Sequence, residues 1–263
     1  MSTTTERQRI PSPSELLQEM DRSRIDREWQ ATNTLWAFTQ RVMALVLLIL
    51  SLPLLLVLYL PVRLSSKAPF FFRQERPGFM GKPFRIVKIT SMRAGSEKVG
   101  EFEKGVRLTD PSVTWIGRIL RDTKLDELPQ LWNVVRGEME FVGPRPIAPA
   151  LHNMLSERIP RFSTRYLVKP GLTNIGQVCV LENAVGDETL EDWKVRFEGE
   201  EHYIRNKSVS YDLILICMTV VFVTRKALWR LLGRKAEAPP QPRALEPAMQ
   251  PGSRAGRDEG SRA

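Results

Sequence analysis

Val42-Met-Ala-Leu-Val-Leu-Leu-Ile-Leu-Ser-Leu-Pro-Leu-Leu-Leu-Val-Leu-Tyr-Leu60 is an uncharged run of 19 residues, and its reading decides how the rest of the chain is disposed. A run of this length is enough to cross a bilayer as a helix. Pro53 sits in its middle, two residues after Ser51. Proline removes a backbone donor and kinks a helix, and a serine hydroxyl can satisfy a freed carbonyl. The flanks carry no orientation bias: Arg22, Arg24, Arg27 and Arg41 precede the run, and Arg63, Lys67, Arg73 and Arg76 follow it. A spanning helix usually carries its excess Lys/Arg on one side. The residues alone leave two topologies open, a kinked span and a helix-break-helix hairpin with both ends on one face.

Working outward, residues 1–34 form a polar N-terminal segment with six acids and five Lys/Arg, in which Ser12-Pro13-Ser14-Glu15 could open a helix. The apolar run starts too far in for a secretory signal and has no small-residue cleavage site after it. Residues 35–62 are the membrane segment, and residues 63–207 a mixed globular stretch. There, residues 70–72 and 84–89 read as short strands, and Leu190–Asn206 as a helix. In Leu125–Arg136 helical spacing sets Leu125, Leu128, Leu131, Trp132 and Val135 on one face. Residues 208–235 combine an apolar run with a basic end, which suits a membrane surface. Residues 236–263, rich in Pro, Ala, Gly and Arg, read as a disordered tail.

Composition narrows the chemistry. Of 263 residues only His152, His202, Cys179 and Cys217 are histidine or cysteine. That nearly excludes a His/Cys zinc site, which needs three or four such ligands, and all four read as structural. Chemistry must then come from carboxylates, lysine, arginine and hydroxyls, and any metal would be a hard, oxygen-liganded one such as magnesium. The net charge of +9 admits nucleic acid, anionic lipid or phosphorylated substrates. From Arg63 to Asp110 eleven Lys/Arg oppose five acids. The charge thus gathers beside the apolar run rather than on a face with aromatic readers, which argues against nucleic acid. The cluster Arg73-Gln74-Glu75-Arg76-Pro77-Gly78, closing with Lys88, reads either as an anchor to anionic lipid or as a phosphate-binding surface.

Two further motifs admit a plain reading and a chemical one. In Thr123-Lys124-Leu125-Asp126-Glu127-Leu128-Pro129-Gln130-Leu131-Trp132-Asn133, Thr123-x-x-Asp126 fits a capping box with Thr123 as N-cap, and the acids suit a helix's first turn. Equally, Asp126, Gln130 and Asn133 share a polar face, and adjacent Asp and Glu can divide labour, one attacking phosphorus and the other holding a cation. In Val142-Gly143-Pro144-Arg145-Pro146, a rigid turn presents one arginine, suited to a bidentate phosphate grip. Pro170-Gly171-Leu172-Thr173 reads as a turn with a hydroxyl. No GxGxxG or GxxxxGK[ST] nucleotide fingerprint is present.

In order, these motifs resemble the bacterial sugar transferase family, the monotopic polyprenyl-phosphate phosphoglycosyl transferases. The resemblance runs from about Arg41 to about Arg225. It rests on the apolar segment with Pro53, Phe72-Arg73-Gln74-x-Arg76-x-Gly78, Phe84-x-Ile86-x-Lys88 with Met92, Gly117-Arg118-x-Leu120-Arg121, the Leu125–Val134 motif, Gly143-Pro144-Arg145-Pro146 and Pro170-Gly171-Leu172-Thr173. It implies a helix-rich mixed α/β chain: a Pro-kinked re-entrant membrane hairpin, a compact cytoplasmic catalytic domain and amphipathic interfacial helices, at the cytoplasmic face of the bacterial inner membrane. It implies transfer of a phosphosugar from a nucleotide-diphosphate sugar, typically a UDP-sugar, to polyprenyl phosphate, initiating exopolysaccharide, O-antigen or glycoconjugate assembly. Asp126 would be the nucleophile and Glu127 the magnesium ligand. Lys88, Arg118, Arg121 and Arg145 would hold phosphates, with Gln130 and Asn133 supporting the substrate site. A homodimer is left open, as is a non-catalytic membrane-anchored scaffold on the same fold. The chain departs from the family pattern at Ala44, Thr90, Glu140, Phe141 and Asn174-Ile175, where an early acid, an arginine, Ser-Leu and Gly-Trp are usual.

Overall fold

The computed structural model describes residues 27–96, 110–176 and 190–231. The Ser12–Glu15 helix start, Cys179 and the tail 236–263 lie outside the described residues. The first element is the long helix α1 (Arg27–Ser66), of which Thr34–Ser66 is long and apolar enough to cross a membrane. At 1.5 Å per residue those 33 residues span roughly 50 Å, well over the ~30 Å of a hydrocarbon core. The helical backbone continues through both Pro53 and Pro61. The Ser51 hydroxyl donates to the Leu48 carbonyl at 2.7 Å. It does not serve Ile49, whose carbonyl is the one Pro53 leaves without its usual donor.

One stripe of α1 is buried, at Gln40, Ala44, Ser51, Leu55, Val62 and Ser66, positions four or seven apart and so on one helix face. Both halves of the helix use it against the same globular body. Near the N-terminal end, Gln40 accepts the Phe141 amide at 2.8 Å and Trp36 donates its indole N–H to Asp212 at 2.8 Å. Near the C-terminal end, Leu55 and Val62 pack with Phe70, Ile89, Ile116 and Leu120, and the Ser66 carbonyl accepts the Ala94 amide at 2.8 Å. The other faces expose Leu35, Phe38, Val46, Ile49, Leu50, Leu56, Val57 and Leu60. So continuous an apolar surface is compatible with a membrane anchor.

After α1 come the antiparallel strands β1 (Phe71–Pro77) and β2 (Pro83–Ile89), a two-stranded ribbon in which Phe72 faces Lys88 and Arg76 faces Phe84. Helix α2 (Trp115–Thr123) is capped by Thr114, whose hydroxyl accepts the Gly117 amide. A 3₁₀ helix (Leu125–Gln130) follows, then the short α3 (Leu131–Val135) and strand β3 (Glu140–Val142). Helix α4 (Pro149–Ser156), a second 3₁₀ helix (Phe162–Leu167) and strand β4 (Gly171–Thr173) lead to α5 (Leu190–Asn206) and α6 (Val209–Leu231). The α5 boundaries are those read from the sequence. Helix α6 likewise exposes an apolar face, with Ile214, Val220 and Val221. The side chains of its basic end from 226 onward are outside the described set.

Three local expectations are corrected. The Leu125–Arg136 stretch is a 3₁₀ helix joined to a one-turn α-helix, because Pro129 cannot donate and an α-helix does not run smoothly through it. Its apolar stripe is incomplete: Leu131 is buried but Trp132 is 46% exposed, and the polar Asp126, Gln130 and Asn133 are buried as well. Thr123 is no N-cap: it ends α2, its hydroxyl bonded to the carbonyls of Ile119 and Leu120, and Lys124 makes the corner at φ 60°. Pro170–Thr173 is mainly strand, since Gly171–Thr173 pairs in parallel with β3. Parallel pairing here needs a close backbone approach. A Cβ on Gly171 would lie 2.1 Å from the Gly143 nitrogen, and one on Gly143 2.3 Å from the Lys169 carbonyl oxygen.

The departures from the family pattern have local partners. Ala44 is fully buried in the core with Phe84, Ile86, Leu131 and Tyr203. Glu140 makes a buried ion pair with Lys207 at the α5–α6 corner. Thr90 bonds the Pro69 carbonyl, and Ser91 accepts the Arg121 guanidinium at 2.8 Å. His152 stacks on Phe162 and meets Tyr166 edge-on. Burial, aided by Arg165, pulls its imidazole down to about 4.

Gly171→Ala is expected to destabilise the protein by about 1–3 kcal/mol, since backbone rather than a flexible side chain must yield; denaturant unfolding in detergent checks it. His152 gives a pH signature. The unfolded imidazole takes its proton near pH 6.5 and the folded one only near 4. Stability held above 6.5 is therefore lost as pH falls toward 4, by up to about 3 kcal/mol. Melting curves at pH 7 and pH 5 should show a larger drop for the parent than for His152→Gln.

Candidate active site

Asp126 and Glu127 stand on the first turn of the 3₁₀ helix, after the left-handed Lys124 corner. The tight winding sends successive side chains about 120° apart. Glu127 is the junction. Its Oε1 accepts Lys88 Nζ at 3.1 Å and Arg145 Nη2 at 2.8 Å, with the Glu127 side chain 12% exposed. Burial alone would raise its pKa. Arg145 and Lys88 outweigh that and hold the carboxyl far below the carboxylate range.

Asp126 has the opposite balance. It is buried, and its Oδ1 has no hydrogen-bond partner. Burial and the neighbouring Glu127 charge push its pKa up, against the pull of Lys88, Lys124 and Arg121. The two adjacent carboxylates thus differ in kind: one saturated by cations, the other unengaged.

The cations come from three elements. Lys88 extends from the inner face of β2, where burial lowers its pKa more than Glu127 raises it. Arg145 sits in the turn after β3. Its main chain is gripped from both sides: its N–H donates to Glu200 at 3.2 Å and its carbonyl accepts Arg165 at 2.8 Å. Arg165 and Glu200 form a 3.0 Å ion pair with side chains 1% and 5% exposed. The turn is therefore held by a buried pair as well as by its prolines. Arg121 is partly buried on α2, with burial lowering its pKa and Asp126 opposing.

Of the expected site residues, Asp126, Glu127, Lys88 and Arg145 are brought together, with Arg121 near enough to Asp126 for their charges to interact. Gln130 is buried on the same 3₁₀ helix. Asn133 is a bracket rather than an open group: its Oδ1 accepts the Val87 amide, and its Nδ2 donates to the Arg85 carbonyl and to Glu138. Arg118 is exposed on the outer side of α2, and among the described residues no hydrogen bond or ion pair joins it to the cluster.

Sequence reading missed Arg165, Tyr166 and Glu200, and left Arg76 in a cluster open between lipid anchor and phosphate surface. Arg76 shares the inner ribbon face with Lys88. Burial and Arg145 pull it down to about 10, and its Nε has no partner. Tyr166 is buried with an unpartnered hydroxyl. For Glu200 a signal existed: Trp193, Phe197, Glu200 and Tyr203 are the buried stripe of α5, and an acid on an apolar stripe calls for a buried cation. Arg165 and Tyr166 lie in an irregular stretch with no such pattern.

A group with one or two carboxylates, completed by substrate phosphates and water, is the usual protein share of a magnesium site. The Asp126–Glu127 pair, with Asp126 Oδ1 unengaged, fits that donor set.

The comparisons with known proteins follow the same residues. The model of the bacterial sugar transferase family matches residues 32–226. The UDP-glucose:undecaprenyl-phosphate glucose-1-phosphate transferase of Caulobacter vibrioides is 42% identical over 181 residues, covering 68% of this chain and 66% of that protein. The protein of the same name from Escherichia coli strain K12 is 40% identical over 191 residues, covering 71% of this chain and 40% of that protein. The UDP-N-acetylgalactosamine-undecaprenyl-phosphate N-acetylgalactosaminephosphotransferase of Aeromonas hydrophila is 32% identical, covering 71% of this chain and 44% of that protein. The chain thus spans from 40% to 66% of the length of these relatives. With three quarters of its length inside the family match, this chain belongs to the bacterial sugar transferase family.

Proposed function

We propose that this chain transfers a phosphosugar from a UDP-sugar to a polyprenyl phosphate, through a covalent intermediate on Asp126. The observation that carries the reading is the contrast within the pair: Glu127 tied to Lys88 and Arg145, Asp126 buried with an oxygen left unengaged. The names of the relatives support the substrate classes. In the first step an Asp126 oxygen attacks the sugar-bearing phosphorus. The new O–P bond forms as the bond to the bridging oxygen breaks, and UMP leaves with that oxygen. In the second step a phosphate oxygen of the polyprenyl acceptor attacks the same phosphorus, and the Asp126 carboxylate departs. The product is polyprenyl-diphosphate-sugar.

Lys88, Arg145 and Arg76 supply fixed positive charge where the phosphates gather, the main requirement of phosphoryl transfer. The Arg165–Glu200 grip fixes the direction of the Arg145 fork before substrate arrives. Glu127 would hold a magnesium ion, which when bound supplies Lewis-acid stabilisation of phosphate charge. The unbiased flanks of the apolar run, and the contacts of both halves of α1 with one globular body, support a re-entrant helix; the family resemblance adds that the site would lie on the cytoplasmic face of the inner membrane. That position serves one soluble and one lipid substrate.

The decisive assay is UMP release from a panel of UDP-sugars with undecaprenyl phosphate and magnesium. Asp126→Asn is expected to cut turnover by at least about 10³-fold, as for other covalent nucleophiles, and to abolish the phosphosugar adduct while folding persists. Arg145→Lys keeps the charge and loses the fork, and a fall of about 10²-fold in kcat is expected. Full activity in Asp126→Asn removes the covalent mechanism; no UMP release from any UDP-sugar leaves a membrane scaffold on this fold.

A further inference from the structure

Between α1, the outer face of the β1–β2 ribbon and α3 lies a cavity of about 760 Å³, well within the size of small-ligand sites. One wall is apolar: Leu48, Leu52 and Leu55, spaced four and three residues apart on α1, with Phe71 and Trp132. The other carries Arg73, Arg85 and Arg136 against Glu75 and Glu138. Glu138 is taken, by Arg136 at 2.9 Å and Asn133 at 2.8 Å. Glu75 stands across from Arg85 in the ribbon, and Arg73 stands across from Val87, with Glu75 two positions along on the same face. Arg73 and Arg85 are exposed, and among the described residues neither guanidinium makes a hydrogen bond or ion pair.

Strand alternation separates this cavity from the active site. Side chains two apart share a face, so Arg73, Arg85 and Val87 point away from the face that carries Arg76 and Lys88. The basic cluster of β1 and β2, ambiguous in the sequence between lipid anchor and phosphate site, divides by face into both. A phosphate held at Arg73 and Arg85 is screened from Asp126 by the ribbon, so it is not the reacting acceptor. The cavity pairs an apolar wall, continuous with the exposed leucines of α1, with free guanidiniums at its rim. That is the chemistry of a lipid chain ending in a phosphate headgroup.

We propose that this cavity binds one anionic phospholipid of the bilayer, its chain along Leu48, Leu52, Leu55 and Trp132 and its phosphate at Arg73 and Arg85. The proposal rests on the membrane-anchored reading given above. Flotation of the full chain with neutral phosphatidylcholine vesicles tests that reading separately: a chain that does not co-float overturns it and the proposal together. Native mass spectrometry of the detergent-solubilised chain, titrated with phosphatidylglycerol, tests the cavity. One adduct is expected, in preference to phosphatidylcholine, and weakened about tenfold or more in R73Q/R85Q. Leu52→Trp, which fills the apolar wall and leaves both arginines, is expected to lose the adduct as well. UMP release from the UDP-sugar should be unchanged in R73Q/R85Q. Undiminished adducts in R73Q/R85Q, or equal uptake of phosphatidylcholine, overturn the proposal. So does displacement of phosphatidylglycerol by undecaprenyl phosphate together with loss of the second transfer step in R73Q/R85Q, which would give the cavity to the acceptor.

Discussion

A single carboxylate oxygen, Glu127 Oε1, joins three parts of the chain. Lys88 reaches it from the ribbon, Arg145 reaches it from the turn after β3, and Glu127 itself stands on the 3₁₀ helix. Behind Arg145 the connection continues through Arg165 and Glu200 to α5. Charges this deep are costly singly and tolerable only as a set. The set therefore fixes how the ribbon, the 3₁₀ helix and α5 sit together, and its geometry survives only if all of them fold. The arrangement of the charged cluster and the tertiary arrangement are here one constraint.

The same network explains why Asp126 is the unusual group. Lys88 and Arg145 both direct their ion pairs to Glu127, and at the Asp126 carboxyl burial and the like charge beside it outweigh the pull of Lys88, Lys124 and Arg121. A carboxylate already satisfied by two cations is a poor nucleophile, because attack would have to break both contacts. The unsatisfied one has fewer interactions to lose. The division of labour proposed for these neighbours in sequence thus follows from which of them the ribbon and the Pro-Arg-Pro turn can reach.

Much of this was legible beforehand. The strands near residues 70–72 and 84–89 and the Leu190–Asn206 helix follow from local pattern, and the grouping of Lys88, Asp126, Glu127 and Arg145 from the family resemblance that the ordered motifs carry. What failed did so where local pattern competes with tertiary demand. Helical spacing in Leu125–Arg136 ignored Pro129, and so placed Trp132 on the apolar stripe and Asn133 on the polar face opposite it; a bracket to β2 buries Asn133 instead. Gly171 read as a turn glycine because nothing local reveals that another glycine, Gly143, lies against it. Arg165 pairs with a residue 35 positions away, a separation no local window covers.

The β1–β2 ribbon has one further consequence. It is seven residue pairs long and a single layer thick, yet it divides a polar compartment from an oily one. The two roles proposed for it are therefore assigned by the parity of residue number: even positions such as 76 and 88 to the chemistry, odd positions such as 73 and 85 to the surroundings. Substitutions of one parity can drift without disturbing the other. A single-residue insertion in either strand exchanges the two sets at a stroke, so the ribbon should tolerate changes of residue far better than changes of length.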